Sequence, residues 1–431
     1  MTYSDIHLSQ RLLHFISQAT SPYHTVKASA AILKEAGFRE LRWNEPWQLE
    51  PRQGYYISLY DSSLIAFTIG PDPRANLRIA AAHTDFPCLR VKPAAALAQK
   101  GYGKLNVEIY GGMIRESWLD RPLSLAGKVA VASDDPFKPA VHLIDARRPL
   151  LTIPRLAIHM NSHVNDGVAL NPQKDMLPLM TLTGPGDDAS YFLQFLADEC
   201  HCRPEDILSY DLTVYLCEEG CLMGLKNEFI SSPRLDNLTS AYACVDSLVR
   251  SKGHDGLHVV ALFDNEEVGS RTKQGALSQA FPALLEELYA SLGYTRREYR
   301  IDAADAFILS IDVAHAMHPN VPEKCDLTNM PRLGQGVALK TAASQSYAGD
   351  AEAAAAVVAL CRRAHIPCLR HARRLDSRFP LIGQSPHPDH GHRHSYLSHA
   401  LCPGTDGRSR PKRPSRFSIY FLFNINYIYR I

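Results

Sequence analysis

Two rhythms of apolar and polar positions alternate along this chain. Leu8, Leu12, Leu13 and Ile16 recur at helical spacing. "HTVKASAAILKEAGF" (24–38) carries an amphipathic stripe that Gly37 should close. "LRIAAAHTD" (77–85) is an apolar run of strand length leading into a loop. From about residue 94 the texture changes. "KLNVEIYGG", "LAGKVAVAS", "AVHLID" and "DLTVYLCE" predict short strands broken by Gly, Pro and Asp. After "SSPRLDN" (231–237) the first rhythm returns. "LTSAYACVDSLVRS" predicts a helix, "LHVVALFDNEE" a strand, "AFPALLEELYASLG" a helix, "AFILSIDVAHA" a strand and "AEAAAAVVALCRRA" a helix. The pattern predicts an α/β domain formed by residues 1–93 and 233–367, interrupted by a smaller β-rich domain over 94–232. Residues 368–431 do not continue either rhythm.

Composition narrows the classes. With 45% hydrophobic and 21% charged residues among 431, the chain is of ordinary globular type. A formal net charge of +1 gives no global field for nucleic acid or an anionic membrane. No stretch approaches the ~20 apolar residues of a membrane span. The start, "MTYSDIHLSQRLLHF", lacks the basic leader and apolar run of a secretory signal, so the cytoplasm is the expected compartment. Ten cysteines are scattered without a C-x-x-C pair, and "CHC" at Cys200–Cys202 is too short to specify a zinc site. Free thiols in a reducing compartment are the simpler expectation.

Three apolar strands run into residues able to bind metal. "LRIAAAHTD" ends in His83 and Asp85, "VVALFDNEEVGS" in Glu266 and Glu267, and "FILSIDVAHA" carries Asp312 and His315. Asp236 stands just before a predicted helix. Functional groups collect at the carboxyl ends of strands in an open α/β sheet, so these residues could converge. Singly each has a plainer reading: "NEE" as a solvated turn, Asp236 as a helix cap, a histidine as a satisfied polar residue. Together they suit a two-metal hydrolytic site, in which imidazole and carboxylate hold zinc and a carboxylate bridges two ions. The pair Glu266–Glu267 suits a division of labour, one binding metal and the other taking a proton from the attacking water. Asp85 could hold His83 in its ligating tautomer. The same donors also suit cobalt or manganese.

"AAHTDFPCLRVKP", "SWLDRPLSLAGKV", "IPRLAIHMN", "NPQKD", "SSPRLDNLTSAYA", "FDNEEVGSRTKQGA", "LSIDVAHAMHPN" and "SQSYAGDAEAA" occur in that order. Over about residues 5–367 the chain resembles the aspartyl aminopeptidase family of co-catalytic zinc metallopeptidases. The resemblance implies a mixed-sheet α/β peptidase domain with helices on both faces and an inserted β-rich dimerisation domain. It implies two Zn2+ per subunit, peptide substrates with acidic N-terminal residues, and homo-oligomers in which dimers build a large tetrahedral assembly. By it, His83 and Asp312 are terminal ligands of one zinc, Asp236 the bridge, Glu267 a ligand of the second zinc and Glu266 the general base. Asp85 is the partner of His83, and His315 lines the site. His159 reaches a neighbouring subunit's site, where its sequence context alone suggests a strand-end residue. Lys340 lies near the substrate pocket, where it could pair with an acidic side chain; the plainer reading is a solvated lysine. Phe86 follows "HTD" where the family usually has a small residue.

One element of the family pattern is missing. A "GSTIGP" loop and an "MHS" segment that supplies a further histidine ligand are absent, and their place is taken by an Arg- and His-rich tail. That tail includes "SPHPDHGHRHSYLSHALC" (385–402), whose five histidines would otherwise invite a metal site. Shifting the reading by one nucleotide, the codons allowed for His387–Gly407 permit "IRTMDIGIPTFRMHSVRELMG", and those for Cys368–Phe379 permit "VFVTRADSTRGS". The tail from about residue 368 thus reads as translated out of frame, with the second zinc site incomplete and activity reduced. Two other readings stay open: a non-catalytic assembly or metal-binding remnant of the family, and an amidohydrolase or deacylase with the same metal chemistry.

Overall fold

The computed structural model describes residues 3–184, 189–326, 328–343, 347, 349–372 and 426–427. In the first part of the chain, helices α1 (Tyr3–Gln18) and α2 (Pro22–Glu35) precede strands β1 (Arg39–Leu41), β2 (Gly54–Leu59), β3 (Ser63–Ile69) and β4 (Leu77–His83). Ser21 caps α2 by accepting from the His24 amide, and Gly37 follows the helix at φ 78°, the left-handed turn for which glycine is suited.

Strands β5 (Cys88–Gln99), β6 (Tyr102–Tyr110), β7 (Leu123–Val131), β8 (Ala140–Asp145), β9 (Leu179–Leu182) and β10 (Ile207–Leu216) form a separate antiparallel sheet in the order β8-β7-β10-β5-β6-β9. Helix α3 (Tyr191–Cys200) lies within this β-rich stretch, where the sequence pattern predicts strands alone. The short hairpin β11 (Cys221–Met223) and β12 (Phe229–Ser231) leads to helix α4 (Leu235–Arg250), strand β13 (Leu257–Phe263), helices α5 (Ala280–Ser291) and α6 (Arg296–Ala304), and strand β14 (Phe307–Ser310).

The first sheet is mixed, in the order β1-β2-β3-β13-β4-β14. Its period-two alternation sorts the core. Val260 and Leu262 of β13 join Leu64, Ala66 and Ala82 on the face covered by α1, α2 and α4. Val259, Ala261 and Phe263 join Ile65, Phe67 and Ile79 on the face covered by α5 and α6. Helices therefore cover both faces, and every residue of β13 is buried. The inner residues of the second sheet, among them Leu89, Val107 and Leu125, continue the α4-side core.

What positions the site is the parallel trio β13, β4 and β14. Phe263 stands beside His83, and Ser310 beside Ala81. The Ile311 amide then donates to the Ala81 carbonyl at 2.7 Å. Three strand ends therefore open on one edge. The strand predicted across "AFILSIDVAHA" ends at Ser310, and after the Ile311 bond the chain leaves the ladder and turns toward the site.

Past helix α7 (Ala351–Arg363), the chain does not abandon regular structure at residue 368 as the sequence pattern suggests. Strand β16 (Cys368–Ala372) pairs in parallel with β15 (Val337–Thr341), Val337 opposite Cys368. The His-rich tract 385–402 and most of the segment read as out of frame lie outside the described residues.

Candidate metal centre

His83 ends β4 with its ring buried. Its Nδ1 lies 3.0 Å from the Asp85 carbonyl oxygen and 3.2 Å from Asp85 Oδ1. Both are acceptors, so Nδ1 carries a proton in either charge state, and Nε2 is the nitrogen that can bind metal once its own proton is displaced. Around Nε2 stand Asp236 Oδ1 at 3.5 Å, Asp312 Oδ1 at 3.8 Å and Glu266 Oε2 at 3.9 Å. Asp236 opens α4, and the neighbouring Asn237 donates through Nδ2 to the Ile311 carbonyl at 2.9 Å. That bond ties the start of the helix to the end of β14 and brings Asp236 beside Asp312.

One ligand-type atom from each of His83, Asp236 and Asp312 lies within 4.8 Å of the others. Asp236 Oδ1 is buried and has no hydrogen-bond donor. A buried carboxylate oxygen without a donor is costly and fits a cation. One imidazole nitrogen and two carboxylates are a donor set that zinc accepts, so the residues present fit the ion.

Asp85 organises the second layer. It is fully buried, and its oxygens accept from the Glu266 amide at 3.2 Å, the Glu267 amide at 3.1 Å and the Tyr110 hydroxyl at 2.6 Å. Burial opposes its ionisation, but the hydrogen bonds from His83, Tyr110 and the Glu267 amide outweigh it and hold its pKa below the usual value. The same balance acts on His83, where burial disfavours the cation and Asp236, Asp312 and Asp85 overcome it, raising its pKa well above the ordinary value. Asp312 is held low by His83 and Lys340 against its burial. Glu266 is raised by burial and then by Asp312 and Asp85, while burial and Asp236 push Glu267 up to about 8. A metal-free cluster of this kind binds protons avidly, and a dication there would displace them.

The structure separates the two adjacent glutamates. Glu266 faces His83, whereas Glu267, near enough to Asp236 for their charges to repel, turns its carboxylate to the second sheet. Its carboxylate lies against the turn after β6, with Oε2 3.5 Å from the Gly112 amide nitrogen. A Cβ on Gly111 would come within 2.7 Å of that oxygen and displace it, and at φ 72° the backbone itself favours glycine.

A cavity of roughly 820 Å³ adjoins the centre, lined by Asp236, Asp312, His315, Lys340, Phe86 and Arg234 among others. Lys340 Nζ donates to Asp312 Oδ2 at 2.7 Å, so in this state its charge serves the cluster. Phe86 is buried in the cavity wall beneath the Arg234 guanidinium, 5.6 Å from its ring centroid. His159 lies away from these groups, on the exposed turn Ile158–Met160. The sequence reading misses Tyr110 and Asn265, which support Asp85 from another sheet and from the "NEE" turn. The available signal was "YGG" at a strand end, a double glycine where another chain segment comes close.

The family model of the aminopeptidase I zinc metalloproteases (M18) matches residues 15–379. The chain belongs to this family. A probable M18 family aminopeptidase 2 of Clostridium novyi is 39% identical over 377 residues, covering 86% of this chain and 87% of that protein. Its counterpart in Ectopseudomonas mendocina is 37% identical over 369 residues, 84% of this chain and 83% of that protein. A chain in the cryo-EM structure of the Ape4 and Nbr1 complex superposes with TM-score 0.82 at 33% identity, covering 87% of this chain and 76% of that one. The Chaetomium thermophilum mApe1 structure gives 0.76 at 28% identity, covering 85% of this chain and 87% of that one. The chain is thus a metalloaminopeptidase of a zinc-dependent family, a hydrolase of peptide bonds. The match ends at residue 379, before the His-rich tract begins.

Proposed function

We propose that this M18 aminopeptidase removes acidic N-terminal residues from peptides, with Glu266 as general base and His83, Asp236 and Asp312 as zinc ligands. The observation that carries the reading is the approach of one ligand-type atom from each of these three side chains to within 4.8 Å of the others, with Asp236 Oδ1 buried and without a hydrogen bond and Glu266 Oε2 3.9 Å from His83 Nε2. When bound, zinc supplies Lewis acidity that polarises a carbonyl and acidifies water.

The remaining steps belong to the chain's own side chains. Glu266, with its raised pKa, takes a proton from the attacking water and returns it to the leaving amine. Asp85 holds the His83 tautomer and the backbone of Glu266 and Glu267. His315 lines the cavity, and in this reading it stabilises the developing oxyanion. Lys340, on the same wall, offers the charge that favours an acidic substrate side chain.

A second zinc would draw on Glu267 and the Asp236 bridge. Glu267 rests on the Gly111–Gly112 turn while remaining near Asp236, and the remaining histidine of the family pattern is missing from the sequence. We take that site as incomplete, with activity reduced accordingly. Residues 94–232 serve as the inserted dimerisation domain, and the His159 turn approaches a neighbouring subunit. The exposure of Leu156, Ile158 and Met160 around that turn supports an interface between copies. The solved S. cerevisiae mApe1 is a dodecamer, a precedent for a larger assembly. Among the described residues no helix is long and apolar enough to cross a membrane, and the nine described cysteines are free, which suits a cytoplasmic enzyme.

Glu266→Gln tests the assignment on a panel of Asp-, Glu- and Leu-initiated peptides and an N-acyl control. Hydrolysis should fall by roughly 10²–10⁴-fold with zinc content unchanged. Retained hydrolysis would remove Glu266 from the role, and cleavage of the N-acyl control alone would favour a deacylase.

A further inference from the structure

The turn Tyr110–Gly112 ends a strand of the second sheet, yet its side chain reaches the centre built on the first. Tyr110 Oη lies 2.6 Å from Asp85 Oδ2 and 2.8 Å from Asn265 Nδ2, while Thr272 Oγ1 lies 2.7 Å from Asn265 Oδ1. The direction of each bond follows from Asp85. The Glu266 amide and His83 Nδ1 face its Oδ1 and the Glu267 amide its Oδ2, a ring of donors that suits the carboxylate, which can only accept. The Tyr110 proton must therefore point at Asp85. The phenol oxygen is left only to accept, which turns the Asn265 amide nitrogen toward it and the Asn265 oxygen toward the Thr272 hydroxyl. Donation runs one way, from Thr272 through Asn265 and Tyr110 to Asp85.

The tyrosine ring is held as well. The Arg90 guanidinium stacks 4.8 Å from its centroid and is itself ion-paired with Asp211 of β10. Gly111, the next residue, is the seat of the Glu267 carboxylate.

We propose that Tyr110 is a positioning residue of the metal centre, locking Asp85 and through it setting His83 and the Glu266–Glu267 turn. This rests on the zinc reading above. The second sheet thereby supplies a template for the centre on the first.

The test compares Tyr110→Phe with the parent protein. Zinc affinity is read by titrating metal-free protein against a chromophoric chelator, alongside kcat, KM and the thermal midpoint without metal. Phenylalanine keeps the ring on Arg90 and removes only the hydroxyl. Zinc Kd should rise by about 10-fold and kcat should fall with KM little changed. The metal-free midpoint should stay near that of the parent. In an Asp85→Asn background the same change should add nothing, because both act through one carboxylate. Thr272→Val, remote from the ion, should shift zinc affinity in the same direction by less, and it carries the test if Tyr110→Phe does not fold. A parent protein that takes up no zinc overturns the metal-centre reading and this inference together. Normal zinc uptake by the parent with unchanged affinity in the variants, or fully additive effects with Asp85→Asn, overturns this inference alone.

Discussion

Asp85 shows how one buried side chain can set several others. Burial alone would favour the neutral acid, yet donors from His83, Tyr110 and the two glutamate amides keep it a carboxylate. Asp85→Asn keeps its shape but replaces an acceptor oxygen with an NH2 group facing donors it cannot satisfy. Zinc affinity should drop by roughly 10–100-fold in a chelator competition assay. Unchanged affinity would mean that His83 needs no such support. At this scale the sequence was partly legible. His83, Glu266 and Asp312 stand out because each follows an apolar strand, and such ends gather on one edge. Tyr110 and Asn265 do not stand out, since their roles arise where two sheets approach and no local spacing encodes that. The different directions of Glu266 and Glu267 were equally hidden, because they depend on the Gly111 seat.

At the scale of elements, the parallel trio β4, β13 and β14 does the positioning, and the core behind it holds the trio in register. Leu262 of β13 is fully buried on the α4 side. Leu262→Ala should cost about 2–5 kcal/mol, read as a lower urea midpoint at unchanged slope. Helix α2 makes a pH-dependent contribution through His24, whose pKa burial pushes down to about 4 from 6.5. The folded state resists a proton that the unfolded chain accepts. Its stability is therefore intact above about pH 6.5 and declines as pH falls toward 4. Between pH 7 and pH 5 the loss from His24 should be about 2 kcal/mol, measured by urea unfolding, and His24→Gln should make the profile shallower. An unaltered profile would show that the ring is solvated. Most elements were legible because period-two and helical stripes are strong in this chain. Helix α3 was not, since ten residues inside a strand-rich stretch carry too few turns to announce a period. The end of β14 was not legible either. Its alternating pattern continues past Ser310, whereas the ladder with β4 ends on the Ile311 amide.

For the whole molecule, two sheets share one core, and the candidate metal centre lies where they meet. The first sheet brings the ligand-type side chains and the second brings Tyr110 and the glycine turn. The family match fades before the His-rich tract, so the segment richest in imidazole is also the one least like the family. Histidine number by itself says little about a metal site, and what marks His83 is its burial, its contact with Asp85 and its strand register. Anomalous diffraction at the zinc edge, on crystals grown from zinc-loaded protein, tests this account most directly. It predicts a strong peak about 2.0–2.2 Å from His83 Nε2 and from carboxylate oxygens of Asp236 and Asp312. A zinc peak confined to the histidines of residues 385–402, with none beside His83, would contradict it.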